Sequence, residues 1–174
     1  LGAKISGEFN LSAGTVLKIL VGQKGNQTSK DASGGGGTFV TQSPHNTNNS
    51  ILVVAGGGGG SFVNNPITNG QITTSGADAC CSQTHPHSPL GGNNGNGAGY
   101  TGNASLCGGA GFFGNGIGTS NMSGTKSQSY VNGGAGANNT WSGDTGFGGG
   151  FGGGGDANRR HNSTYAAGGG GGYS

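Results

Sequence analysis

An apolar segment, Ile51–Ala55, is followed directly by five consecutive glycines at residues 56–60. Mostly β-branched apolar residues are typical of a buried β-strand, whereas a glycine run is typical of a flexible linker. A linker has no reason to recur within one short chain while it is joined directly to strand-like segments. We therefore interpret the glycine runs as structural elements, and they recur at residues 34–37, 148–150, 152–155 and 168–172.

The composition excludes several classes of protein. Glycine makes up 46 of the 174 residues, against a usual ~7%, and each helical glycine costs about 1 kcal/mol relative to alanine. α-Helix is therefore nearly excluded. Charged residues are only 7% of the chain and the net charge is +2, so the concentrated basic face that nucleic-acid binding needs is missing. No stretch approaches the ~20 apolar residues of a membrane span.

The first 21 residues predict a β-hairpin. Apolar and polar residues alternate over residues 3–10, which is the period of a half-buried strand; residues 12–14 supply a turn, and residues 15–21 return. Further strands are expected at residues 38–40 and 51–55, with a possible short one at 71–74. We expect a single domain over residues 1–174, with a β-rich part at 1–60 that includes the first glycine helices and a glycine- and asparagine-rich part at 61–174.

An ordered glycine run has one favourable conformation, the polyproline II helix, with three residues per turn and no internal hydrogen bonds. Several such helices can pack side by side and satisfy one another's backbone groups if no side chain intervenes. The alternative is that residues 91–174 are disordered, as in other glycine- and asparagine-rich tracts. A collagen helix is disfavoured because the strict Gly-X-Y repeat is absent and there are only 4 prolines.

Eight segments along the chain form a recognisable series: GAKISGEF (2–9), LKILVGQKG (17–25), GGGGTFV (34–40), LVVAGGGGG (52–60), GAGFFGNG (109–116), YVNGG (130–134), GFGGG (146–150) and GGGGGYS (168–174). In order and spacing they resemble the glycine-rich domain family, whose best-known members are the extracellular regions of the anaplastic lymphoma kinase and leukocyte tyrosine kinase receptors. The resemblance implies a mainly β fold in which an antiparallel jelly-roll-like β part is combined with a bundle of polyproline II glycine helices, with essentially no α-helix.

The resemblance also suggests how such a chain is used. In the receptors this region takes part in cytokine recognition and dimerisation, but no kinase segment is present, so kinase activity does not carry over. Relatives usually have a further apolar strand before the segment at residues 2–6, whereas this sequence begins at Leu1, without an initiating methionine or a signal peptide. Either that strand was left out of a processed or excised chain, or another chain supplies it. An open sheet edge of this kind can pair with a neighbouring subunit.

Three cysteines, Cys80, Cys81 and Cys107, predict a structural disulfide in which one of the vicinal pair bridges to Cys107. Such a bridge closes a loop of about 27 residues and contributes a few kcal/mol. The third thiol would be free or linked between chains. The vicinal cysteines with His85 and His87 also resemble soft metal ligands, but their spacing matches no standard zinc pattern. We expect no metal and no cofactor.

Seven Asn-X-Ser/Thr sequons predict a secreted, glycosylated surface if the source is eukaryotic. The alternative is that a chain rich in asparagine, serine and threonine produces sequons by accident. We expect an extracellular protein, secreted or at a cell surface, with candidate glycosylation sites at Asn10, Asn26, Asn48, Asn103, Asn121, Asn138 and Asn162.

No catalytic constellation emerges, because the five acidic residues lie in different segments and Gly-X-Gly-X-X-Gly patterns are trivial in polyglycine. We therefore expect a non-enzymatic structural or interaction module, a self-assembling subunit of a fibre or surface coat. Its expected partners are further copies of itself, through an open β-edge, with a protein or glycan ligand as a further possibility. The alternative is a recognition module, either a receptor ectodomain fragment or a phage-type tail-fibre adhesin. Ice binding is a third, weaker option, because scattered aromatic residues disfavour a flat face.

Overall fold

The chain is described from a computed structural model, which covers residues 1–27, 32–61, 69–77, 90–98, 108–118, 124–139, 148–160, 164–166 and 169–173. The described residues contain no α-helix, only two short 3₁₀ helices, Asn48–Ser50 and Tyr130–Asn132. The expectation of a mainly β chain is confirmed for these residues. A bilayer-spanning helix, which would have to be long and largely apolar, is absent from the same ranges. The strands are β1 (Leu17–Leu20), β2 (Thr38–Gln42), β3 (Ile51–Ala55), β4 (Gly124–Thr125), β5 (Asn138–Asn139), β6 (Asn158–Arg160) and β7 (Thr164–Ala166).

The principal sheet is antiparallel and has the order β1-β2-β3. Leu20 lies opposite Phe39, and Phe39 lies opposite Val54, so these three side chains share one face. The register shifts by a bulge between Val40 and Thr41. The remaining strands form two short two-stranded sheets, β4-β5 and β6-β7. The strands expected at residues 38–40 and 51–55 are therefore confirmed, the first extending further to Gln42.

The core lies on the inner face of the principal sheet and is largely aromatic. Leu20, Phe39, Phe112 and Tyr130 are buried together. The Phe112 and Tyr130 rings stack with centroids 4.8 Å apart, and the Phe39 ring lies 5.0 Å from Tyr130. Aromatic pairs of this kind contribute about 0.5–1.5 kcal/mol each beyond their burial. A chain with few large apolar residues thus concentrates its apolar packing in one small cluster.

The glycine runs hydrogen-bond to one another instead of forming further sheets. Gly35 N–H donates to Gly58 O at 2.9 Å, Gly57 N–H donates to Gly171 O at 2.6 Å, and Gly171 N–H donates to Gly35 O at 2.9 Å. Three runs far apart in sequence are thereby closed into a triangle of backbone hydrogen bonds. The run at 148–155 joins the same network, because Gly34 N–H donates to Gly155 O at 3.0 Å.

The network requires glycine because the backbones approach too closely for side chains. A Cβ at Gly57 would overlap the carbonyl of Gly35, and a Cβ at Gly36 would overlap the carbonyl of Phe151. At Gly152 the requirement is also conformational, since its φ of 100° lies in the left-handed region that L side chains rarely adopt. The glycine runs are structural elements, as the recurrence of the runs indicates, and not linkers.

The predicted N-terminal hairpin is wrong, although its turn and its second strand are present. Residues 15–21 contain β1, but β1 pairs with β2 and residues 3–9 form no strand. The physical reason is where the preceding segment is attached. Ala3 N–H donates to Gly56 O, just beyond β3, so the segment starts at the β3 edge of the sheet and not beside β1.

The possible strand at residues 71–74 is also wrong. This segment bends, and only Ser75 makes an isolated bridge, to Asn93. Side chains there bond locally to the backbone: Gln71 Nε2 donates to Asn69 O at 2.9 Å, and Thr73 Oγ1 donates to Ser75 O at 2.9 Å. Local bonds of this kind compete with strand pairing.

Candidate functional site

The backbone of the N-terminal arm, which we define as residues 4–11, is extended and unpaired. It contains no turn or bend, and its N–H and C=O groups make no backbone hydrogen bond to any other described residue. Before its start, Ala3 N–H donates to Gly56 O at 2.8 Å, and beyond its end Thr15 N–H donates to Ser12 O at 3.1 Å, a local bond that closes the following turn. The arm is therefore a strand-like segment, anchored beside Gly56 at its start, whose backbone groups have no backbone partner among the described residues.

The apolar side chains of the arm are partly exposed to solvent. Ile5 is 43% exposed, Phe9 is 45% exposed and Leu11 is 42% exposed. A Cβ at Gly7 would lie 3.0 Å from two atoms of the Phe9 ring, so that ring lies over Gly7 on the same side of the arm. This contact between residues two apart is what the period of an extended strand produces. The arm has the alternation of a strand without the pairing.

The outer face of the principal sheet, on the side away from the aromatic core, is a second exposed apolar surface. Ile19, Val40 and Val53 lie opposite one another across the three strands. Ile19 is 60% exposed, and Leu17 and Val21, at alternate positions along the same segment, are 38% and 63% exposed. Because soluble monomers rarely expose large contiguous apolar patches, such a face indicates an interaction surface.

A buried polar cluster lies on the inner face. Thr41 Oγ1 is 2.7 Å from the Tyr130 hydroxyl and 3.1 Å from Nδ1 of His45. The ammonium of Lys18 lies 4.9 Å from the centroid of the Tyr130 ring, within the range of a cation–π contact. Thr41 is 0% exposed and Tyr130 is 1% exposed, so neither hydroxyl is open to a substrate. The cluster satisfies buried polar groups and stabilises the core.

Four of the seven candidate glycosylation sites fall in described residues, and all four are exposed: Asn10, Asn26, Asn48 and Asn138. Asn10 lies on the arm itself. Asn48 begins a 3₁₀ helix, and its Oδ1 accepts a hydrogen bond from the Tyr173 hydroxyl at 3.0 Å. Exposure is what glycan attachment requires, and glycosylation at these four sites stays a prediction. The remaining three sites lie outside the described residues: Asn103, Asn121 and Asn162.

The predicted disulfide and the alternative metal site also fall outside the described residues, which include none of Cys80, Cys81, Cys107, His85 and His87. Both stay predictions. Within the described ranges, no three histidine, cysteine or acidic side chains are grouped closely enough to hold a metal ion.

Two features of the molecule escaped sequence reasoning. The alternation at residues 3–10 correctly indicates an extended segment, but nothing local indicates that its hydrogen-bonding partner is missing. The contact between Thr41 and Tyr130 joins residues 89 positions apart. Nothing in the sequence indicates that a threonine and a tyrosine at that separation are in contact. Besides the alternation, the sequence indicates the exposure of the arm only through the sequon at Asn10.

Comparisons of the chain with models of protein families, with curated proteins and with solved structures found no match.

Proposed function

We propose that this chain is a non-enzymatic structural module that assembles with further copies of itself through its N-terminal arm. The observation that carries the proposal is the arm at residues 4–11, an extended backbone that is anchored at its start and unpaired among the described residues. Exposed strand edges are templates for pairing with another chain, and folded proteins normally block them. This arm carries few of the usual blocking devices, since it contains no proline and a single lysine, Lys4.

The exposed apolar side chains support the same proposal. Ile5 and Phe9 on the arm, together with Leu17, Ile19 and Val21 on the outer face, each expose more than a third of their surface. Fully burying a large apolar side chain contributes about 1.5–3 kcal/mol, so association that covers several of them is favourable. Pairing of the backbone would supply orientation, and burial of these side chains would supply affinity.

The proposal includes a scaffold of polyproline II glycine helices beside a jelly-roll-like β part. Polyproline II helices make no internal hydrogen bonds, which fits runs that donate N–H groups to other segments, as in the triangle of Gly35, Gly57 and Gly171. A run of five glycines at 56–60 would span roughly 15 Å. A bundle held by backbone hydrogen bonds is stiff, as a repeating unit of a fibre or coat has to be.

An extracellular location is part of the proposal. The exposure of the asparagines Asn10, Asn26, Asn48 and Asn138 supports it, because a glycan can be attached only to an accessible asparagine. The resemblance to the extracellular glycine-rich regions of receptor kinases points the same way and stays a prediction. The alternative function, a recognition module for a protein or glycan ligand, would leave the isolated chain monomeric.

Sedimentation over a range of concentrations, with negative-stain electron microscopy of the same samples, tests the proposal. We expect oligomers or filaments whose fraction rises with concentration. The variant Ile5→Lys replaces an arm side chain by a charge and should weaken association roughly tenfold or more. The matched control is Ile72→Lys, because Ile72 is 70% exposed and lies outside the arm and the outer face.

Two results would contradict self-assembly through the arm. One is a chain that stays monomeric up to about 1 mM, where even an association of about 4 kcal/mol would be visible. The other is equal weakening of association by both lysine variants, because the contact would then not involve the arm. Circular dichroism of each variant checks that the fold is retained.

A further inference from the structure

We infer that the arms of two copies pair with each other as antiparallel strands, with the two-fold axis passing beside Ser6. The inference rests on the proposed self-assembly and adds the partner, the orientation and the register. A two-fold contact uses the same surface on both copies, so in this register residue i of one copy lies opposite residue 12 − i of the other. Lys4 then lies opposite Glu8 of the second copy, and the same pair forms again on the other side of the axis.

The two charged side chains of one arm can pair with those of a second copy but not with each other. Lys4 and Glu8 are the only charged residues of the arm, and both are exposed. They lie on the same side of an extended segment and four residues apart, which is about 13 Å along a strand. At that distance they form no ion pair within one arm. In the register centred on Ser6 each lies directly opposite its counterpart, where opposite charges stabilise an antiparallel pair.

The other registers do not offer this complementarity. Centring the pair on residue 4 places Lys4 opposite Lys4, and centring it on residue 8 places Glu8 opposite Glu8; like charges directly opposite are destabilising. A parallel, in-register pairing makes both of those unfavourable contacts at once. Moving the axis by half a residue position would place polar positions of one copy opposite apolar positions of the other, which the alternation of a half-buried strand disfavours.

The apolar side of the arm fits the same register. Ile5 lies opposite Gly7 of the second copy, and Phe9 lies opposite Ala3, so each large side chain meets a small one. The Phe9 ring lies over Gly7 of its own arm. Because Ile5 of the second copy lies opposite that Gly7, the ring and the isoleucine would meet. An aromatic ring beside a β-branched side chain across two strands is a stabilising pair.

A charge-exchange experiment tests the register. Lys4→Glu and Glu8→Lys should each weaken self-association roughly tenfold, because both cross-strand charge pairs become repulsive. An equimolar mixture of the two variants should recover association, since every contact in the mixed pair then joins a lysine to a glutamate. The double variant K4E/E8K should recover association by itself. Lys24→Glu is the control for net charge, because Lys24 is exposed and lies outside the arm.

The outcomes separate this inference from the proposed function. If the unsubstituted chain assembles but the mixture does not recover, the pairing register is wrong and self-assembly stands. If neither single variant weakens assembly, the arms do not meet, and the inference is likewise overturned while self-assembly stands. A monomeric unsubstituted chain overturns both the inference and the proposed self-assembly. The arm would then pair with a strand of a different protein. Recovery in the mixture, greater at low salt than at high salt because ions screen exposed charges, supports the inference.

Discussion

Substituting alanine for two neighbouring glycines tests whether the runs approach as closely as the structure has them. Gly35 and Gly36 are adjacent, both half-buried, and both in the run at 34–37. A Cβ at Gly35 would have its nearest neighbour, Gly58 O, at 3.6 Å, which is ordinary contact, whereas a Cβ at Gly36 would overlap the Phe151 carbonyl. Gly36→Ala should therefore be strongly destabilising, and Gly35→Ala should be tolerated.

The expected loss of stability in Gly36→Ala follows from the hydrogen bonds that break when the new Cβ displaces the Phe151 backbone. Gln23 N–H donates to Phe151 O at 2.8 Å, and Gly37 N–H donates to Gly152 O at 2.9 Å. Each buried group left unsatisfied costs about 1–3 kcal/mol. Even with partial recovery elsewhere, we expect a loss of about 4 kcal/mol, a large part of the 5–15 kcal/mol typical of a whole domain.

Gly35→Ala should have the opposite sign or a small effect. Where the native conformation accepts alanine, replacing glycine stabilises by about 0.4–1 kcal/mol, because the unfolded chain has fewer states to lose. Urea denaturation followed by circular dichroism measures both variants, and calorimetry should place Gly36→Ala about 8–16 °C below the unsubstituted chain. Free energies of unfolding that agree within about 1 kcal/mol between the two variants would refute the close packing of these runs.

Two further substitutions, each with a matched control, probe the aromatic core by the same denaturation assay. Phe39→Ala should lower the free energy of unfolding by about 3–5 kcal/mol, since the ring is 0% exposed. Its control, Phe151→Ala, should cost much less because that ring is 40% exposed. Similar losses in the two variants would contradict the placement of the core. Tyr130→Phe should cost about 1–2 kcal/mol because its hydroxyl is hydrogen-bonded to buried Thr41. Tyr173→Phe, which loses an exposed hydrogen bond, should change stability by less than about 0.5 kcal/mol, and an equal effect of the two tyrosine variants would count against the buried pair.

How well the sequence predicted the strands depended on where their pairing partners lie. The strands at residues 38–40 and 51–55 were predictable because β-branched and aromatic residues between glycine runs are a local signal, and the core partners Phe39 and Val54 belong to them. The strand expected at residues 3–10 has the same alternation, and that prediction is wrong. Alternation records which residues can share a face, but a strand exists only where another backbone accepts its hydrogen bonds.

The candidate site was predictable only in part for the same reason. Sequence reasoning expected an open β-edge and exposed asparagines, and it placed the alternating residues correctly. It could not show that the arm is anchored beside Gly56 and remains unpaired, because that contact joins residues 3 and 56. Nor could it place the rows of the outer face, since the opposition of Ile19, Val40 and Val53 depends on the register of the sheet.

By itself the sequence determined the type of backbone this chain can form. A quarter of its residues lack a Cβ, which disfavours helix and permits backbones to touch, and both are properties of single residues. Only the tertiary structure decided which runs touch, since glycines at 34–37, 56–60 and 169–172 are chemically alike and any of them could pair with any other. The physical reason is that identical backbone groups do not distinguish one hydrogen-bonding partner from another. Their partners are selected by the few side chains that pack, chiefly Leu20, Phe39, Phe112 and Tyr130.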